Sequence, residues 1–246
     1  MECRLSLRDV TVKTSRDKEI IKGITLQLIK GIHAIAGPNG AGKTTLLKAI
    51  AGVQNHSGTI EYCGERTSEI SSKISYTPAT PVIDPLATVY DVLRAGLFNS
   101  RGGLDHAMKY LKLLQINHLL HRRFTSLSSG EQRLVCLTRA LARAPSLLLL
   151  DEPLSFLDVR NQVAVIKLLR RYSMETGAIV LLTTHEIHYL WAFDTVTIIS
   201  KGSLAYHGDP SSLSKDLLER VYGIELMRMP VKGELSSFIP DLRSLN

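Results

Sequence analysis

The chain has 246 residues, 44% of them apolar, which is enough to bury one sizeable core with or without a subdomain. Thirty Lys and Arg against 23 Asp and Glu leave a net charge of +7, yet the basic residues are scattered and aromatic residues do not interleave with them, so a solvated basic face is expected rather than a nucleic-acid groove. The longest aliphatic runs, 147–150 and 179–182, fall far short of the roughly 20 residues that span a bilayer, and the first residues lack a signal-peptide pattern, so a cytoplasmic location is expected.

Short β-branched runs at 5–12, 25–28, 32–36, 59–62, 74–77, 147–150, 179–183, 196–200 and 203–207 read as strands, and helical periodicity alternates with them. The fold class is therefore α/β. The first few strands look antiparallel; the later ones look buried and parallel. Between 88 and 144 the strand signal disappears, and amphipathic stretches at 104–114 and 131–143 mark a helical insertion. Thr88 with Asp91 gives its first helix a capping-box start. After Gly208-Asp209-Pro210 a short helix at 217–222 precedes a polar, weakly patterned tail. One domain over 1–246 is expected: an α/β core with a β subdomain (1–79 and 145–210), the helical part (80–144) and the C-terminal helix and tail (211–246). Cys3, Cys63 and Cys136 are widely spaced without a C-x-x-C pair, and are read as buried packing residues rather than a disulfide framework or zinc site.

Directly after the run 32–36 stands Gly37-Pro38-Asn39-Gly40-Ala41-Gly42-Lys43-Thr44, and a helix is expected from Thr45 to 51. Glycines let successive N–H groups curl round an anion, and the helix start adds partial positive charge. Lys43 then reaches the β- and γ-phosphates while the Thr44 hydroxyl binds Mg²⁺. A glycine turn with an incidental lysine is the bland alternative, and the flanking strand and helix count against it. Further on, the apolar run 147–150 delivers Asp151 and Glu152 to a strand end, where α/β sheets place ligands. Asp151 suits Mg²⁺, and Glu152 suits polarising a water.

Leu127-Ser128-Ser129-Gly130-Glu131-Gln132, upstream of the leucine strand, completes a set that resembles the ATP-binding-cassette family, whose signature reads L-S-G-G-Q. The resemblance extends to about residue 222. It implies a P-loop NTPase (RecA-like) core with an N-terminal antiparallel β subdomain and an inserted helical subdomain. It further implies MgATP hydrolysis in a head-to-tail homodimer, each phosphate loop facing the partner's Ser128, Ser129, Gly130 and Glu131. Asp158, in Ser155-Phe156-Leu157-Asp158, matches the D-loop that crosses such an interface. His185, after Thr183-Thr184, matches the switch histidine that keeps water, Glu152 and γ-phosphate in register; His188 reads as helix surface.

Three positions depart from the family pattern. Ala79 stands where a glutamine normally touches Mg²⁺ and senses the permease, so water is expected to complete the metal shell there. The turn Lys13-Thr14-Ser15-Arg16 has no aromatic ring to stack on adenine, which implies weaker base discrimination, with Arg16 as a substitute. Ser129 and Glu131 replace a glycine and a glutamine; Ser129 either loosens the sandwich or adds a donor, and Glu131 can form a capping box with Ser128. The segment 85–93 and the tail 208–224 resemble importers of iron chelates, haem or cobalamin. Transmembrane permease subunits and, through them, an extracytoplasmic solute-binding protein are the partners this implies, with the chain peripheral on the cytoplasmic face of the membrane. An exporter subunit or a soluble cassette protein outside transport are the other readings.

Overall fold

Two sheets divide the strands according to their burial pattern. In the computed structural model, which describes residues 3–98, 100–232 and 235–241, β1 (Leu5–Lys13), β2 (Glu19–Leu28), β4 (Ser57–Tyr62) and the short β5 (Glu65–Arg66) form an antiparallel sheet in the order β2-β1-β4-β5. The second sheet contains β3 (Gly31–Ala36), β6 (Ile74–Thr77), β7 (Leu147–Leu150), β8 (Ile179–Thr184), β9 (Thr195–Ser200) and β10 (Ser203–Gly208), in the order β10-β9-β3-β8-β7-β6. All its pairs are parallel except β9–β10. β3 thus belongs with the later strands, and only β10 among those runs antiparallel.

β7 and β8 are buried at every position because the sheet is covered on both faces. Leu148, Leu150, Val180 and Leu182 enter one core with α4 (Ser129–Ala142) and α5 (Val159–Thr176). Leu147, Leu149, Ile179 and Leu181 enter the other, with α1 (Lys43–Ile50) and the antiparallel sheet. Their alternation sets which residues reach the site, since the register Ala36↔Thr184 and Leu150↔Leu182 aligns the C-terminal ends of β3, β8 and β7. The insertion is helical as expected, with α2 (Val89–Gly96) and α3 (Leu104–Leu113) ahead of α4, and both halves of the Thr88–Asp91 capping box form.

Four expectations need correction. β2 starts at Glu19 rather than at 25; Gly23, at φ 57, lies near a register shift that breaks the alternation in sequence. The tail after α6 (Lys215–Tyr222) is not unpatterned: β11 (Leu226–Lys232) and β12 (Leu235–Pro240) form a hairpin that buries Phe238 and packs on the 3₁₀ segment Ile187–Ala192. His188 lies in that segment rather than on an α-helix, its ring tilted 47° against that of Tyr189 with centroids 4.2 Å apart, and its carbonyl accepts from Ser237 Oγ. Cys3 and Cys63 are exposed and joined as a disulfide, with Cα atoms 4.8 Å apart, because the pairing Leu5↔Tyr62 brings the ends of β1 and β4 together. Cys136 alone is the buried free thiol that composition suggested.

Candidate active site

The chain leaves β3 at Gly37, where an added Cβ would lie 2.1 Å from the Ile199 carbonyl oxygen, and it enters α1 at Gly42, held at φ 104. Neither position accepts a side chain without displacing its neighbours. Between them Pro38, Asn39, Gly40 and Ala41 form the loop, and no side chain caps the start of α1. The first N–H groups of α1 therefore remain for an anion. Lys43 lies back across this loop, its Nζ donating to the carbonyls of Gly37 at 2.8 Å and Pro38 at 3.1 Å and standing 3.5 Å from His185 Nδ1. Burial lowers its pKa, and Glu152 and Asp151 oppose that shift. Thr45 follows half-buried on α1.

Asp151 is 2% exposed, and its Oδ1 accepts from Thr44 Oγ1 at 3.0 Å and from Thr183 Oγ1 at 2.6 Å. The same Thr183 oxygen accepts from the Glu152 N–H at 2.9 Å. Glu152 stands at φ 51, its carboxylate touching His185 Nε2 through one oxygen and accepting from Ser155 Oγ at 3.3 Å through the other. Lys43, Thr44, Asp151, Glu152 and His185 thus meet at the ends of three adjacent strands. Thr183 ties two of them together, a role that a threonine in an apolar run does not reveal. A hard-oxygen set suits Mg²⁺, which keeps most of its shell as water and phosphate. The fit has a second support: the buried Tyr76 hydroxyl has no partner among the described residues, and the Asp151 charge reaches it, adding to the burial that pushes its pKa up to about 12.

Ser128 does not join this cluster. It caps α4 in a complete capping box, accepting from the Glu131 N–H while its own N–H and Oγ donate to Glu131 Oε2 at 2.8 and 3.0 Å. That carboxylate is held below its ordinary pKa, chiefly by the Ser128 N–H. Ser129, Gly130 and Glu131 line a cleft of about 490 Å³ with Phe156, Leu157 and Asp158. A Cβ at Gly130 would come 3.0 Å from the Phe156 carbonyl oxygen, a tight contact that a shift of a few tenths of an ångström would relieve. Asp158 itself caps α5, accepting from the Asn161 N–H at 2.7 Å, and beside it Phe156 and Val159 are 74% and 68% exposed. In the turn after β1 the Thr14 hydroxyl accepts from the N–H groups of Arg16 and Lys18, so it organises the loop instead of presenting a flat surface.

A sequence profile described as ABC transporter matches residues 21–155, more than half of the chain. The chain belongs to the ABC transporter family. It is 35% identical to the hemin import ATP-binding protein of Roseobacter denitrificans over 90% of this chain and 91% of that one. It is also 32% identical to the zinc import ATP-binding protein of Anaplasma marginale, covering 81% of this chain and 80% of that one. Among solved structures, a metal-chelate type ABC transporter in an inward-facing conformation superposes with a TM-score of 0.82 at 25% identity, covering 99% of this chain and 100% of that one. The protein is thus an ATP-binding, ATP-hydrolysing ABC subunit, of the kind that partners permease components. No helix among the described residues is long and apolar enough to cross a membrane.

Proposed function

We propose that this chain is the engine of an importer for a metal or metal chelate, hydrolysing MgATP in a head-to-tail dimer docked beneath permease subunits on the cytoplasmic face of the membrane. One observation carries the dimer: the Lys43, Thr44, Asp151, Glu152 and His185 cluster and the Ser128 cap occupy separate parts of the chain, each a half of a phosphate-binding site. A second copy supplies what each half lacks, and the exposed Phe156 and Val159 beside Asp158 become contact surface. The curated relatives import hemin and zinc, and this supports the cargo class. A solute-binding protein would deliver that cargo through the permease.

Thr44 and Asp151 would hold Mg²⁺, whose charge offsets that of the phosphates. Lys43 spends two N–H donors on the loop carbonyls and turns the third to His185 Nδ1 at 3.5 Å, a long bond that a terminal phosphate would replace. Glu152 accepts a proton from the attacking water, and His185, in contact with that carboxylate and near Lys43, keeps both aligned. Glu152→Gln should bind MgATP yet release phosphate about a hundredfold or more slowly, the scale of losing a general base. Phosphate release at the parental rate in Glu152→Gln would overturn the mechanism. Co-purification with an apolar multi-span protein tests the transport role; its absence from native membranes would favour a soluble cassette protein.

A further inference from the structure

His185 leads into a segment that needs support from outside. β8 ends at Thr184, and the chain passes through His185 and Glu186 into the 3₁₀ run Ile187–Ala192. Its six residues exceed the three or four that 3₁₀ bonding commonly sustains, and no side chain caps its start. Two local bonds hold the entry: the Glu186 N–H donates to Thr184 Oγ1 at 2.9 Å, and the Ile187 N–H to the His185 carbonyl at 2.9 Å. Further support comes from the β11–β12 hairpin. β12 packs along the run, Ser237 Oγ donates to the His188 carbonyl at 3.1 Å, and Phe238, 1% exposed, enters the same core as Ile187 and Leu190. The hairpin is braced in turn, with Arg228 Nε donating to Ser236 Oγ at 2.7 Å and the Leu226 N–H to Glu219 Oε1 of α6 at 2.7 Å.

We propose that Ser237 is a positioning residue for ATP hydrolysis: its bond to the His188 carbonyl, with Phe238 packed in the same core, fixes where His185 meets Glu152 and Lys43. The assignment rests on the role given to His185 above. The link is continuous, from Ser237 to the His188 carbonyl, through the run to the Ile187 N–H, and from there to the His185 carbonyl. A misplacement of about 1 Å caused far from the chemistry can cost up to about a hundredfold in rate, so a hydroxyl that touches no reacting atom still bears on turnover. The phosphates are gripped from β3 and α1. Loosening the run at Ile187–Ala192 therefore slows the hydrolytic step and leaves nucleotide affinity in place.

Ser237→Ala removes the donor with little change in volume. In the full chain its turnover should fall about three- to tenfold, the scale of one hydrogen bond, while KM and the calorimetric affinity for Mg²⁺ with β,γ-imido-ATP stay within about twofold. Ser237→Thr keeps a hydroxyl and should recover roughly half or more of the lost rate. Arg228→Met is the control, since it cuts the bond to Ser236 and keeps the bond to His188; its melting temperature should drop while turnover stays near parental. The ring signals of His185 in a ¹H–¹³C spectrum, assigned by their loss in His185→Gln, should move or broaden in Ser237→Ala and stay fixed in Arg228→Met. Parental turnover and ring signals in Ser237→Ala, an equal rate loss in Arg228→Met, or an affinity loss as large as the rate loss would each refute the assignment. A His185→Gln variant that hydrolyses ATP at the parental rate would refute the role of His185 itself, an outcome distinct from an inactive His185→Gln beside an unaffected Ser237→Ala.

Discussion

At φ 51 Glu152 holds a conformation that a non-glycine residue keeps only where its surroundings fix it, and the Thr183 hydroxyl does so here by accepting from its N–H. Thr183→Val removes that acceptor and the donor to Asp151 at once, with little change in shape. Phosphate release should fall at least tenfold and stability by about 1–3 kcal/mol, measured by steady-state turnover and denaturant melts; a variant with parental turnover would mean Glu152 is fixed by something else. Glu131 presents the opposite case, an anion seated on the Ser128 N–H where a partner's phosphate would be received. Glu131→Gln keeps the cap and removes the charge, so ATP-driven dimerisation should strengthen; an unchanged or weaker dimer would show that the carboxylate does not compete. Lys43, Thr44, Asp151 and Glu152 could be found in sequence because glycine spacing and a strand end single them out. Thr183 could not, being an ordinary residue type whose meaning comes from what the fold sets beside it.

Strand placement was legible wherever burial on both faces makes a run uniformly apolar, as in β7 and β8. It failed where the pattern is broken or polar: β2 before Gly23, and the β11–β12 hairpin, whose main apolar anchor is the buried Phe238. The Cys3–Cys63 link was equally hidden, because a separation of 60 residues says nothing about which strands pair. β3 carries a further property in His33, whose Nε2 bonds the Ile29 carbonyl at 2.8 Å while its buried Nδ1 has no partner among the described residues. Burial, the largest influence, lowers its pKa. The unfolded chain then takes up a proton as pH drops below about 6.5 while the native chain does not, so this contribution to stability is intact above that pH and declines below it. His33→Gln should flatten the fall in melting temperature between about pH 7 and 5; an identical slope would place the acid sensitivity elsewhere, His207 being the next group whose pKa burial lowers.

Across the whole molecule, the proposed dimer draws on two clusters on different elements: Lys43, Thr44, Asp151, Glu152 and His185 at the strand ends, and the Ser128 helix start, which shares a cleft with Asp158. Each is incomplete alone. The segregation follows from topology, since β3, β7 and β8 end together at the first cluster while the helical insertion carries the second. Sequence singled out the residues of both clusters and left their separation to be read from the fold. The most direct test is the mass in solution of Glu152→Gln with and without MgATP, by light scattering. The account predicts a monomer without nucleotide and twice that mass with it; saturating nucleotide binding by a particle that stays monomeric would contradict it.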